Sequence, residues 1–325
     1  MTVLTVLNLK KYFPLQKSFI EQLITRKKLT VKAVDNISFK INVGEVFSLV
    51  GESGCGKTTT GRLIVRLERP DSGKIVFEGQ DITFANEKLL RPLRRKMQII
   101  FQDPYASLNP RMTIGDAVAE PLIIHGIMSK MEAREEALKM LESVGLTPPE
   151  TFYKAYPHQL SGGQRQRVVI ARAMILKPKF VVADEPVSMI DVSLRASILK
   201  LLMKFKNTYN LTMLFITHDL AVARLISNTI AVMYLGKIVE MAPVDELIEN
   251  PLHPYTKALL SSVPTIVPQM KKEKIVLRGD VPSPINPPSG CRLHPRCPLA
   301  MEKCVKEEPQ LKYVGNGHYV ACHLI

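Results

Sequence analysis

The sequence lacks any run of the ~18 to 20 uninterrupted apolar residues that a membrane-spanning helix needs. The 325-residue chain is therefore not expected to cross a bilayer unaided. Residues 1–14 (MTVLTVLNLKKYFP) contain no small-residue cleavage site, and Lys10 and Lys11 break their short apolar run, so a secretory leader is not expected and a cytosolic location is. Cysteine is scarce as well: Cys55 stands alone until Cys291, Cys297, Cys304 and Cys322 crowd together near the C-terminus. In a reducing compartment that clustering favours a metal site over disulfides. Acidic residues are also short, 30 against 44 Lys and Arg, which leaves a formal charge of +14. With 46% hydrophobic and 23% charged residues the composition is globular, and collagen-like, disordered, secreted and integral-membrane classes are excluded. What remains is a basic protein whose partner is nucleic acid, a nucleotide or the anionic side of a membrane.

Residues 3–9 (VLTVLNL) and 31–41 (VKAVDNISFKI) are rich in β-branched and apolar residues and predict an N-terminal sheet. Between them, residues 10–32 carry seven Lys and Arg against the single acid Glu21, which reads either as a basic amphipathic turn or as a solvated loop. From Val46 the pattern becomes strand (VFSLV), glycine loop and helix. A further helix is expected over 130–144, stopped by Gly145 and the prolines at 148 and 149. The apolar runs 180–184 (FVVAD) and 213–217 (MLFIT), with a helix over about 193–207 between them, indicate a parallel α/β layer. After residue 242 prolines multiply and periodicity fades. Residues 1–245 and 246–325 are accordingly expected to be two domains, the second small, irregular and in need of a metal staple.

The strongest chemical signal is GESGCGKT, Gly51–Thr58, which fits G-x-x-x-x-G-K-[ST] between a strand and a helix. Glycines at 51, 54 and 56 let the backbone wrap so that its N–H groups face an anion. Lys57 is expected on the β- and γ-phosphates and the Thr58 hydroxyl on Mg²⁺, with Cys55 a filler. Asp184 and Glu185 end an apolar strand, where one carboxylate can hold Mg²⁺ through water and the other can polarise an attacking water. LSGGQRQR, Leu160–Arg167, sets Ser161, Gly162 and Gly163 at a second helix start. One nucleotide does not need two anion sites from one chain, so the second is expected to serve a γ-phosphate held by a partner subunit.

The phosphate loop, LSGGQ and DEP in this order resemble the ATP-binding cassette (ABC) ATPases over about residues 1–245. The resemblance implies an α/β fold: a P-loop ATPase domain with an N-terminal antiparallel β layer and a helical subdomain. It implies that Gly51, Glu52, Ser53, Gly54, Cys55, Gly56, Lys57, Thr58 and Thr59 bind ATP, with Asp184, Ser161 and Gly163 contributing. Gln102 in IIFQDP becomes a ligand of Mg²⁺ and a contact to a membrane partner, His218 in FITHDL the γ-phosphate switch, and Asp191 a dimer-seam residue. Phe13 or its neighbour Tyr12 falls where the family stacks an aromatic on adenine, a core aromatic being the competing reading. The segment Ser188, Met189, Ile190, Asp191 departs from the family's S-A-L-D, so altered seam packing is expected without loss of chemistry. Glu185, Lys57 and His218 are all present, as a hydrolysing cassette requires.

Two more segments, 101–122 (FQDPYASLNPRMTIGDAVAEPL) and 250–264 (NPLHPYTKALLSSVP), resemble the ATPase subunits of oligopeptide and dipeptide importers, the second or F-type of the pair. The implied partners are a D-type cassette or a second copy, two transmembrane permease subunits and an extracytoplasmic solute-binding protein, at the cytoplasmic face of the membrane, with no nucleic acid. The tail spacing C-x5-C-x6-C-x17-C lacks a C-x-x-C knuckle, which weakens a zinc ribbon. Related importers hold a [4Fe–4S] cluster in such a tail; the resemblance places it on Cys291, Cys297, Cys304 and Cys322, with zinc as the alternative and unliganded packing as the third reading. His294, His318 and His323 are read as surface histidines. Import of nickel or oligosaccharides by the same machinery is an alternative function. A nucleic-acid repair ATPase is a distant rival, because only 104 residues separate Lys57 from Ser161 and leave no room for a coiled-coil insertion. A regulatory cassette without a permease is disfavoured by the segment after Gln102.

Overall fold

The computed structural model describes residues 1–15, 29–262 and 275–325. Most of the basic stretch expected at 10–32 lies outside them. The described residues divide into two units, one of Met1, Asn42–Glu45 and Ala85–Ile216, the other of Thr2–Ile41, Val46–Phe84 and Thr217–Ile325.

In the first unit three strands, Met97–Ile100, Phe180–Asp184 and Thr212–Thr217, run parallel, with Phe180 opposite both Met97 and Thr212. Every position of the last two strands is buried, which is why they read as continuous apolar runs rather than alternating ones. Helices surround them, and their ends follow local chemistry. Lys130–Ser143 begins with a capping box in which Ser129 and Glu132 satisfy each other's backbone N–H groups. It buries Ala133, Ala137, Met140 and Leu141 along one face and stops where Gly145 takes φ 78°. Val192–Tyr209 ends at Asn210, also left-handed with φ 48°.

The second unit contains the expected antiparallel layer, in the order Thr30–Asn42, Thr2–Pro14, Ser72–Phe77, Gln80–Asp81, with Leu4 opposite Phe77. Its other strands run Lys312–Gly315, His318–Val320, Lys237–Pro243, Thr229–Tyr234, Val46–Val50, and only the last pair is parallel. Val50, Ile230, Val232, Tyr234, Tyr255 and Leu293 share one core here.

The tail corrects two expectations. Among the described residues the tail does not cluster as a unit of its own. Instead His318–Val320 pairs with Lys237–Pro243, Glu240 facing Val320, and Leu293 and Val320 are buried in the same unit as the phosphate loop. Joining an existing sheet supplies the apolar burial that a short proline-rich segment lacks by itself. His318 is not at the surface either: it is 2% exposed, and its Nε2 lies 2.8 Å from the carboxylate of Glu240, itself fully buried. A buried carboxylate needs partners, and this one takes His318 plus the N–H groups of Leu252 and His253. Among the described residues no helix is long and apolar enough to cross a membrane.

Candidate nucleotide-binding site

The buried strand Val46–Val50 delivers the chain into the Gly51–Gly56 loop, and the helix Lys57–Ile64 follows at once. Two glycines are required by close approach. A Cβ on Gly51 would meet the Met233 carbonyl oxygen at 2.1 Å, and one on Gly56 would meet that of Ala33 at 2.0 Å. Gly56 also holds φ 105° and caps the helix without a side-chain acceptor, and the first turn contains no acid. The N–H groups of that turn therefore face an anion site rather than an internal cap. Lys57 is 4% exposed and its Nζ donates to the carbonyls of Gly51 (2.7 Å) and Glu52 (3.0 Å), which folds the cation onto the loop it serves. The Cys55 thiol is pushed up chiefly by burial, which leaves it inert. The loop is a cradle that fits a polyphosphate, and Thr58 follows Lys57 on the same turn.

The same unit holds the two aromatic candidates. The Tyr12 hydroxyl donates to Asp35 at 2.5 Å and the ring lies beneath the Lys32 ammonium, 5.7 Å from its centroid. Burial, then the Asp35 carboxylate, push that phenol well above its ordinary value. Phe13 is half-buried, with the Lys11 ammonium 5.1 Å from its ring centre. His218 is exposed between the Thr212–Thr217 strand and the helix Leu220–Ile226, whose N-terminus Asp219 caps by accepting from Ala221 and Val222.

The other unit carries the carboxylates. Asp184 ends its strand at 2% exposure and Glu185 follows at 9%, with φ 45°. A left-handed glutamate is strained by about 1–3 kcal/mol, and it is held there by its N–H to Ile216 and by Ser188, whose N–H and hydroxyl both donate to its carbonyl. Gln102 donates its side-chain amide to Glu185 Oε2 at 3.2 Å, so the structure brings these two predicted residues together. Ser161 caps the helix Gly162–Met174, accepting from Gln164 N–H while the Gln164 side chain accepts from Ser161 N–H. Gly163 is buried against Leu194, and Asp191 is exposed at the start of Val192–Tyr209. Sequence reasoning missed Gln164's part in that box, although S-x-x-Q before an apolar run is its signature. It also missed Arg165, whose guanidinium stacks 3.6 Å from the Tyr105 ring centre and donates to the Tyr105 hydroxyl.

An ABC transporter model matches residues 34–188, and the model for the oligopeptide/dipeptide transporter C-terminal region matches residues 239–304. The oligopeptide transport ATP-binding protein AppF of Bacillus subtilis is 48% identical over 99% of this chain and 97% of its own length. The chain belongs to the ATP-binding subunits of the oligopeptide/dipeptide ABC transporters. The subunit is also similar to the di/tripeptide transport ATP-binding protein DppF of Pseudomonas aeruginosa, 45% identical over 99% of this chain and 97% of that one. A putative peptide import ATP-binding protein of Brucella ovis is 52% identical over 91% of this chain and 93% of its own. Among solved structures, the dimeric post-hydrolysis state of the cassette MJ0796 bound to ADP and Pi matches with a TM-score of 0.65 and 30% identity, covering 74% of the subunit and 98% of that chain. The subunit is an ABC-type ATPase.

The metal site expected in the tail is not formed by the described geometry. Among the described residues no three His, Cys, Asp or Glu side chains converge to hold a metal ion. Cys291, Cys297, Cys304 and Cys322 are free thiols that sense one another electrostatically, and the Cys291 N–H donates to the Cys304 carbonyl at 2.8 Å. Burial pushes Cys291 up to about 11 and raises Cys297 and Cys322.

Proposed function

We propose that the subunit binds MgATP on the Gly51–Thr59 loop and hydrolyses it, as one of two paired cassettes, to drive import of oligopeptides or dipeptides. The observation that carries this reading is the loop itself, closed by two glycines that admit no Cβ, capped by no side chain and carrying a buried Lys57. By the family resemblance, Lys57 would neutralise phosphate charge, the Thr58 hydroxyl and Gln102 would hold Mg²⁺ with Asp184 acting through water, Glu185 would polarise the attacking water, and His218 would contact the γ-phosphate. The Ser161 hydroxyl accepts from Gln164, which leaves its own proton to donate to the ATP of the partner cassette beside Gly163. Because the Tyr12 hydroxyl is committed to Asp35, Phe13 is the better placed of the two aromatics to stack on adenine.

The resemblance to importer subunits supports as partners a D-type cassette or a second copy, two permease subunits and an extracytoplasmic solute-binding protein, at the cytoplasmic face of the membrane. Support for a permease contact comes from a cleft of about 240 Å³ in the first unit, lined by Arg94, Gln98, Phe101, Ile124, His125 and Arg172. For the tail, a [4Fe–4S] group on the four cysteines, with zinc second, rests on the resemblance and on the electrostatic influence of Cys297, Cys304 and Cys322 on Cys291. Anaerobic iron, sulfide and zinc analysis tests it, and a metal-free chain with an unchanged protease pattern overturns it. Functionally, 1–245 acts as the nucleotide-binding region and 246–325 as the transporter-type C-terminal region. Reconstitution with the permeases and the cognate receptor tests the cargo: ATP turnover rises with peptide-loaded receptor. A rise with nickel- or oligosaccharide-loaded receptor alone would overturn the peptide reading.

A further inference from the structure

The second residue of the phosphate loop is an acid, which is an unexpected neighbour for an anion site. Glu52 is half-buried, and both its main chain and its side chain are held by residues far downstream. Its N–H donates to the Tyr255 hydroxyl at 2.9 Å. Its carboxylate receives a fork from Arg296, Nη1 to Oε2 at 2.9 Å and Nη2 to Oε1 at 3.3 Å. Such two-pronged pairing fixes geometry as well as charge. Tyr255 is fully buried, Arg296 is 8% exposed, and the guanidinium lies 5.9 Å from the centre of the Tyr234 ring, which packs 4.8 Å from Tyr255. The turn that presents Arg296 is closed by Arg296 and Cys297 N–H groups donating to the Leu293 carbonyl, with Leu293 in the core. Four residues earlier, Arg292 donates to Asp35 and to the Leu235 carbonyl, which anchors the turn a second time.

We propose that Arg296 is a positioning residue for nucleotide: it neutralises Glu52 and holds its carboxylate aside, so that a triphosphate meets the loop N–H groups and Lys57 without an unpaired anion beside them. The inference rests on the reading of Gly51–Thr59 as the ATP site. A purely structural Arg296 would stabilise the fold whatever residue 52 carried. An electrostatic one matters only while Glu52 is negative, and its effect is screened by salt.

Titration of the full chain with a fluorescent ATP analogue, at low and at high salt, separates the two. Arg296→Gln is expected to weaken binding about fivefold at low salt, a Coulomb effect of the size that a half-exposed charge exerts over several ångströms, and the deficit should shrink at high salt. Adding Glu52→Gln to Arg296→Gln should restore most of the affinity that the single variant loses, because the unpaired carboxylate is then gone. Unchanged affinity in a folded Arg296→Gln, or a double variant no better than that single one, overturns the proposal. If Arg296→Gln does not fold, Arg296→Lys decides: the retained charge should keep affinity within about twofold, and a folded Arg296→Lys tenfold weaker overturns it. Lys57→Ala is run alongside. If it binds like the parent, the phosphate-loop reading has failed; if it alone loses affinity, only the role of Arg296 has.

Discussion

Gln102 and Glu185 are hydrogen-bonded to each other, side-chain amide to carboxylate, at 3.2 Å. The carboxylate expected to polarise water is thus restrained by the residue expected to sense Mg²⁺ and the permease, and the left-handed backbone at 185 adds a second constraint. Glu185→Gln should bind ATP like the parent while phosphate release falls on the order of 10²-fold or more. Gln102→Ala, with Glu185 intact but no longer held, should lower kcat more than it raises KM. Equal turnover in parent and Glu185→Gln would remove Glu185 from the mechanism.

Gly56 and Gly54 separate two kinds of constraint. Both take positive φ, but a Cβ on Gly54 meets nothing within 4 Å, whereas one on Gly56 meets backbone. Gly54→Ala should therefore cost only the conformational strain of about 1 kcal/mol, with ATP affinity kept. Gly56→Ala must move the Ala33 carbonyl or the loop and should cost more stability and most of the nucleotide affinity. Thermal melting and ATP titration of the two variants side by side check this.

Two histidines in the second unit impose opposite pH dependences. Burial lowers His253 to about 4, and it is neutral in the folded chain. The unfolded chain binds more protons between about pH 6.5 and 4, so stability is lost as pH falls through that window, by roughly 3 kcal/mol if the shift is fully expressed. His318 is raised, first by its hydrogen bond to Glu240, so its contribution is complete below about 6.5 and is lost as pH rises through its folded value. His253→Asn should flatten only the acid limb of a urea-unfolding series, and His318→Gln only the other. A single variant that flattened both would refute the assignment.

The site's local strings were legible in the sequence because each is set by its own spacing. The loop at 51–58, the acids at 184–185 and the cap at Ser161 need only their neighbours to be recognised, and Gly145 marks its helix end in the same way. The Arg296–Glu52 fork spans 244 positions and Arg292–Asp35 spans 257; nothing local announces either. His318 was misread for a related reason. Its strand is three residues long, too short for alternation to show, and its burial depends on a carboxylate 78 positions away.

The pairing of His318–Val320 on Lys237–Pro243 also governs how this polypeptide can be cut. A fragment ended near residue 245 would strip the imidazole and two backbone donors from Glu240, and would leave Lys237–Pro243 as a bare sheet edge. Exposed edges recruit other chains, and an ionised carboxylate without partners opposes closure of the core around it. An excised cassette is accordingly expected to aggregate. Chimaeras that exchange the C-terminal region between related subunits should move the 237–243 strand together with its distant mate.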